Sequence, residues 1–195
     1  MKTLPEQAII DELNKVAFSP EGGLLFNPEK ECMDEQLSFL FDTFSQINPG
    51  AIIETGTQRC LFDLFILTNF PKTKIYTCDP WEKSIEAVKV MEKYFPSQIE
   101  FKNASSKTLL NNFSKDIKID AAWIDGDHRY EGCYSDLLGC SELKIKNIIL
   151  DDFRLLPCIK SAIDSFLKSN PYHKKGESGA VDSRGIYWLE RSEEK

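Results

Sequence analysis

Five acids and one histidine stand where apolar runs break off in this 195-residue chain: Glu54 after Ala51-Ile52-Ile53, Asp79 after Lys74 to Cys78, Asp125 and His128 after Ile119 to Ile124, and Asp151 and Asp152 after Asn147 to Leu150. An ionised carboxylate only accepts hydrogen bonds, and an imidazole changes charge near neutral pH. Beside Glu54 stand Thr55, Gly56 and Thr57, where the glycine lets backbone N–H groups approach a ligand closely. Phosphate would be repelled by Glu54, so a cationic or hydroxylated ligand suits this turn. Asp79 follows Glu54 by 25 residues, a separation compatible with an acid accepting hydrogen bonds from a ribose diol at a second strand. Asn103, Ala104 and Ser105 add a further polar turn.

These residues can meet only if the apolar runs lie side by side and end on one edge. The pattern predicts strands over 51–54, 74–78, 99–102, 119–124 and 147–150. Between them, helical spacing predicts helices over 61–69, 84–94, 107–113, 131–138 and 158–168. Five strand and helix alternations favour a mostly parallel sheet covered on both faces, with right-handed crossovers aligning the strand ends. The tail differs: 172–175 and 185–190 read as two antiparallel strands around a turn at 176–179. Upstream, helices are expected over 5–17 and 31–47, joined by a loop over 18–28 whose apolar Leu24-Leu25-Phe26 could cover a site.

Length and 42% hydrophobic content suit one domain over 1–195, with residues 1–48 as a helical cap on a core over 51–195. A net charge of -7 argues against a nucleic-acid surface, so a small-molecule partner fits better. The absence of a membrane-length apolar run or a leader pattern makes a soluble, cytoplasmic chain the expectation. A homodimer is expected as well. The six cysteines form no CxxC pair, and most read as reduced, buried and inert.

The turn at 54–60 lacks the G-x-G-x-x-G of dinucleotide folds and keeps a single glycine. It resembles motif I of the class I S-adenosylmethionine-dependent methyltransferases. The likeness runs from Ala51 to about Phe166 through I-E-T-G-T, C-D-P-W, W-I-D-G-D-H-R-Y-E-G and I-I-L-D-D, and the terminal hairpin is similar to that family's antiparallel seventh strand. The last two motifs resemble the small-molecule, sugar and catechol-type O-methyltransferases. The resemblance implies a Rossmann-like, doubly wound α/β fold with a mostly parallel seven-stranded sheet, S-adenosylmethionine as cofactor and a small hydroxylated acceptor. It also implies that Glu54, Thr55, Gly56 and Thr57 border the amino-acid end of the cofactor, that Asp79 holds the ribose, and that Trp81 with Asn103, Ala104 and Ser105 borders the adenine. Asp125 joins that cofactor set. Asp125, Asp151 and Asp152 match the catechol-type metal ligands, with His128 where those enzymes carry lysine.

Converging carboxylates repel one another, and a hard cation such as Mg²⁺ relieves that repulsion. A bound cation also lowers the pKa of a coordinated hydroxyl, while His128 beside Asp125 is the candidate proton acceptor. Purely structural readings stand beside these. Asp151 and Asp152 would suit the start of a helix, Asp125-Gly126-Asp127 an Asx-type turn, and His128 a capping position. Tyr187 and Trp188 suit a core. Three departures from the family pattern bear on the site: Cys60 where a glycine is common, predicted to narrow the approach to the methionine moiety; Lys144 to Asn147 in place of a Gly-Gly turn; and no large insertions. Two other functions fit less closely: a cofactor-binding module without turnover, and an NAD-dependent enzyme of related fold.

Overall fold

The computed structural model describes residues 4–16, 32–178 and 184–193, so the expected loop over 18–28 lies outside the described residues. Helices α1 (Leu4–Val16) and α2 (Cys32–Ile47) precede β1 (Ala51–Thr55), α3 (Leu61–Asn69), β2 (Lys74–Cys78), α4 (Lys83–Tyr94) and β3 (Ile99–Lys102). Then come α5 (Ser106–Asn111), β4 (Ala121–Ile124), α6 (Tyr130–Glu142), β5 (Asn147–Leu150), α7 (Pro157–Leu167), β6 (Tyr172–Glu177) and β7 (Tyr187–Arg191). The seven-stranded sheet has the order β3-β2-β1-β4-β5-β7-β6. β1 to β5 are parallel, and β7 runs antiparallel between β5 and β6.

Strands buried on both faces read as continuous apolar runs, and every residue of β4 and β5 is buried. One apolar layer joins Ile9 and Leu13 of α1 and Phe44 of α2 to Ile52, Ile66 and Met91. The other packs Leu137 of α6 and Ile163 and Phe166 of α7 on Ile53, Ile148 and Leu189. Trp188 is buried in the first layer, with its indole N–H donating to Asn147 Oδ1 at 3.2 Å. Among the described cysteines, Cys60, Cys78, Cys133 and Cys140 are buried and unpaired, and Cys158 is half-buried. No helix among the described residues is long and apolar enough to cross a membrane.

Several boundaries differ from the sequence pattern, α6 running to Glu142 and β7 starting at Tyr187 among them, and two have a visible cause. β4 starts at Ala121, because the Asp120 carboxylate turns back to accept the N–H groups of Gly50 at 2.8 Å and Ala51 at 3.2 Å. β6 continues through Gly176 and Glu177, which the reading placed in the turn, with a register irregularity between Lys174 and Gly176. A Cβ on Gly176 would come within 3.3 Å of the Phe39 ring, so close packing of the bulged strand uses a residue without a side chain.

Candidate active site

Neighbouring β1 and β4 connect in opposite directions across the sheet, and at that switch point the carboxyl ends of the strands leave a crevice. The turn after β1 is pinned to the next strand, with Gly56 N–H and Thr57 N–H both donating to Cys78 O at 3.0 and 3.3 Å. Gly56 takes φ 95°, and the turn then places Gln58 and Cys60 at φ 41° and 58°. Asp79 organises the facing loops. Its Oδ2 accepts the Gln58 N–H at 2.7 Å and its Oδ1 the Trp81 N–H at 2.8 Å, while Asn103 Nδ2 donates to its carbonyl at 2.8 Å. Ser105 caps α5 by accepting the Thr108 N–H at 3.3 Å.

These loops surround a cavity of ≈ 970 Å³, at the upper end of the range for small-molecule sites. Gly56, Asp79, Trp81, Ser105 and Asp125 line it. Glu54, Thr55 and Thr57 do not; they are 1%, 1% and 3% exposed and lie under the turn. Glu54 Oε2 accepts the Thr77 hydroxyl, which meets the Thr57 hydroxyl at 2.5 Å. Ala104 is also outside the lining, and Asn103 acts through Asp79. Cys60 corrects an expectation: its side chain is wholly buried in the core and so does not narrow the cavity. Gln58, Arg59, Lys107, Arg129 and Ser135 also line the space. Position beside those strand-end turns was the sequence signal for Gln58, Lys107 and Arg129, whereas Ser135 lies in the second turn of α6 and carried none.

Two helix acids lie buried on either side of β1. Asp63 of α3 is wholly buried against Glu54 and Cys60, and burial together with the nearby Asp63 charge raises the Glu54 carboxyl well above its ordinary range. Asp136 of α6 is 1% exposed, and the Thr55 and Ser106 hydroxyls approach it without closing a hydrogen bond of good geometry. Burial pushes Asp136 up from 3.8 to about 6. An acid whose folded pKa is raised contributes its full stability below its unfolded pKa and loses it as pH rises through about 6. Asp136→Asn is therefore expected to raise stability at pH 8 by about 1–3 kcal/mol and to leave it unchanged near pH 4. Urea unfolding at the two pH values measures this, and an equal effect at both refutes it.

Asp125 belongs both to the cavity and to an acid-rich corner beyond it. Its Oδ1 lies 3.1 Å from His128 Nε2, and His128 Nδ1 lies 3.8 Å from Asp152 Oδ2. Donor atoms of Asp125, His128 and Asp152 all fall within 4.8 Å of one another. Asp151 is not in that group, and its Oδ1 accepts the Asp152 N–H at 2.8 Å. Its neighbour Asp152 takes φ 57°. The hydrogen bond with Asp125 raises the His128 pKa, and burial raises those of Asp125 and of Asp151, the latter to about 7. Asp151 and Asp152 do not start a helix, since α7 begins at Pro157 with Leu156 in the N-cap position. An Asx-type turn stands two residues later than expected, at Asp127 to Arg129, with Asp127 Oδ1 accepting the Arg129 N–H at 3.0 Å. The corner is closed by the chain leading into β7: Phe153 N–H and Arg154 N–H donate to Gly185 O and Arg184 O at 3.3 and 3.0 Å, and Arg184 Nη1 lies 3.7 Å from Asp152 Oδ1.

A family model described as a methyltransferase domain matches residues 53–149. No protein of curated function matches the chain by sequence. Among solved structures, the O-methyltransferase TomG of Streptomyces achromogenes, involved in tomaymycin synthesis and bound to SAM, aligns with a TM-score of 0.74 at 10% identity, covering 99% of this chain and 92% of that one. An O-methyltransferase of Bacillus cereus in complex with SAH gives 0.73 at 14% identity, over 97% and 93% of the two chains. The cofactor-bound protein Rv0187 of MTB gives 0.72 at 14% identity, over 97% and 90%. At these identities the likeness is one of fold.

Proposed function

We propose that this chain, whose residues 53–149 match a methyltransferase-domain model, is a class I, S-adenosylmethionine-dependent methyltransferase that transfers the methyl group to a hydroxyl of a small molecule. The observation that carries this reading is the position of Asp125, which lines the cavity on one side and pairs with His128 on the other. In this reading the cofactor fills the cavity with its ribose at Asp79, its adenine between Trp81 and Ser105, and its amino-acid end over Gly56. Glu54, Thr55 and Thr57 act from below, holding the turn. Asn103 holds Asp79 and Ala104 spaces the loop. The acceptor hydroxyl then enters over Asp125 and His128.

Two means of removing the hydroxyl proton are available in that corner. The His128 imidazole is one, with Asp125 orienting it. The other is a divalent ion such as Mg²⁺ held by Asp125, Asp152 and Asp151, which would lower the pKa of a hydroxyl bound to it. The donor set suits a cation, since donor atoms of Asp125, His128 and Asp152 lie within 4.8 Å of one another. The protein's remaining task is alignment: acceptor oxygen, methyl and sulfur must be held in line, with water kept from the cavity.

Calorimetric titration with S-adenosylmethionine and with its demethylated product tests the cofactor; absence of heat with either ligand removes the proposal. NAD added in a thermal-shift comparison should leave the melting temperature unmoved. With an acceptor found by panel screening, His128→Ala is expected to slow methyl transfer by about 10²- to 10⁴-fold while cofactor affinity is retained. An undiminished rate would detach His128 from the chemistry.

A further inference from the structure

A second cavity lies at the opposite end of the sheet from the crevice, where the chain enters β4 and β5, and methyl transfer makes no use of it. Its volume of ≈ 710 Å³ is within the range of small-molecule sites. Lys115, Lys118, Lys144, Lys146 and Lys175 line it against three acids, in a chain whose net charge is -7. Two of those acids are already engaged. Asp120 accepts the Gly50 and Ala51 N–H groups and pairs with Lys118 at 2.9 Å, while Glu190 meets Lys175 at 2.9 Å and Lys146 at 3.7 Å. Lys115 and Lys144 meet no carboxylate among the described residues. Lys144 is also strained: it follows the C-cap of α6 at φ 57°, a position that glycine fills without cost. Where the Gly-Gly turn of the family pattern is replaced, the residue held in that conformation is a cation on the cavity wall.

We propose that this cavity is a second binding site, for an organic phosphate of nucleotide size, with its phosphates at Lys115 and Lys144 and its organic body against Trp188 and Ile47. The lysine ammonium is a point charge that meets phosphate oxygens from any direction, whereas a planar carboxylate is better matched by the arginine fork. Among the described residues no arginine lines the cavity. Its wall is apolar at Ile47, Leu143 and Trp188, and the Trp188 indole is fixed in place by its N–H bond to Asn147 and by Lys175 Nζ 5.8 Å from the ring centroid. Inorganic phosphate alone would leave that apolar wall and most of the volume unused.

The test needs no acceptor and no turnover. Uridine triphosphate is the probe, because it joins phosphates to an organic ring and lacks the adenosine that the cofactor cavity is proposed to take. It is added to the full chain labelled with nitrogen-15, and the indole N–H signals are followed by nuclear magnetic resonance, with Trp188→Phe identifying the Trp188 signal. Uridine triphosphate is expected to shift the Trp188 signal and to leave that of Trp123 in place. Inorganic triphosphate should bind about 10-fold more weakly. Lys144→Gly is expected to raise the melting temperature, by relieving the backbone, and yet to weaken uridine triphosphate about 10-fold, an outcome that a merely structural lysine would not give. Lys89→Gln, on the exposed face of α4, removes the same charge elsewhere and should change neither. An unmoved Trp188 signal at millimolar probe, an affinity kept in Lys144→Gly, or an equal loss in Lys89→Gln overturns the proposal. Displacement of the probe by S-adenosylmethionine would place it in the cofactor cavity and overturn it as well, whereas failure of S-adenosylmethionine to bind leaves this site untouched and counts against the methyltransferase reading alone.

Discussion

Gly56→Ala is expected to abolish cofactor binding and to lower the urea midpoint sharply. A Cβ at this position would lie 2.2 Å from the Asp125 carbonyl oxygen, 2.6 Å from its carbon and 2.8 Å from the Gly126 Cα, all of them backbone atoms. No rotamer change relieves such contacts. The φ of 95° adds a penalty that any side chain meets there. Relief requires the turn after β1 and the end of β4 to separate, which breaks the Asp125 N–H to Thr55 O bond of 2.9 Å and displaces the carboxylate shared by cavity and corner. We expect a loss on the order of 3–5 kcal/mol, against the roughly 5–15 kcal/mol of a typical domain. Gly126→Ala is the internal control. Its Cβ would meet nothing closer than 3.4 Å, so the midpoint should stay near that of the unaltered chain. A Gly56→Ala protein with unchanged midpoint and affinity would mean that the two loops do not approach as described.

Asp79→Ala is expected to weaken S-adenosylmethionine by at least about 100-fold while the fold survives. One carboxylate here does two jobs. It accepts the N–H groups of Gln58 and Trp81, drawing the first and second loops together, and it is the acid proposed to hold the ribose. Without it, both N–H groups lose an acceptor and the cavity wall between Gly56 and Trp81 loosens. Asp79→Asn should lie in between, since the amide keeps one accepting oxygen and sets a donor against the other N–H. Calorimetry well below the melting temperature separates weakened binding from unfolding. An affinity within about threefold of the unaltered chain would exclude Asp79 from the binding site.

Much of this architecture could be read from local pattern. Apolar runs bounded by Gly, Pro and Asp located β2, β3, β5 and α3 to the residue, because buried parallel strands and their breakers carry strong local signals. The position of Asp79, Asp125, Asp151 and Asp152 at strand ends followed from the same runs, and parallel order then set them along one rim. What the pattern does not carry is which side of a turn a side chain faces. Glu54 reads as a ligand-facing acid, yet it points under the loop to Thr77. Asp63 and Asp136 carry no sign in the sequence of the burial that α3 and α6 impose on them. The pairing of His128 with two acids depends on Asp152 adopting φ 57°, a conformation that asparagine and aspartate tolerate but do not announce.

The interleaving of the last two strands has a consequence for how the molecule is made. β7 sits between β5 and β6, so β6, although synthesised earlier, has no sheet neighbour until β7 arrives. On the ribosome, a nascent chain that has reached the end of β6 can assemble β1 to β5 but must leave the β5 edge bare. Arg184 and Gly185, which brace the loop at Asp152, emerge only with the segment that covers that edge. Translation therefore delivers the brace of the acidic corner last, and until then the β5 edge stays open to unwanted strand pairing.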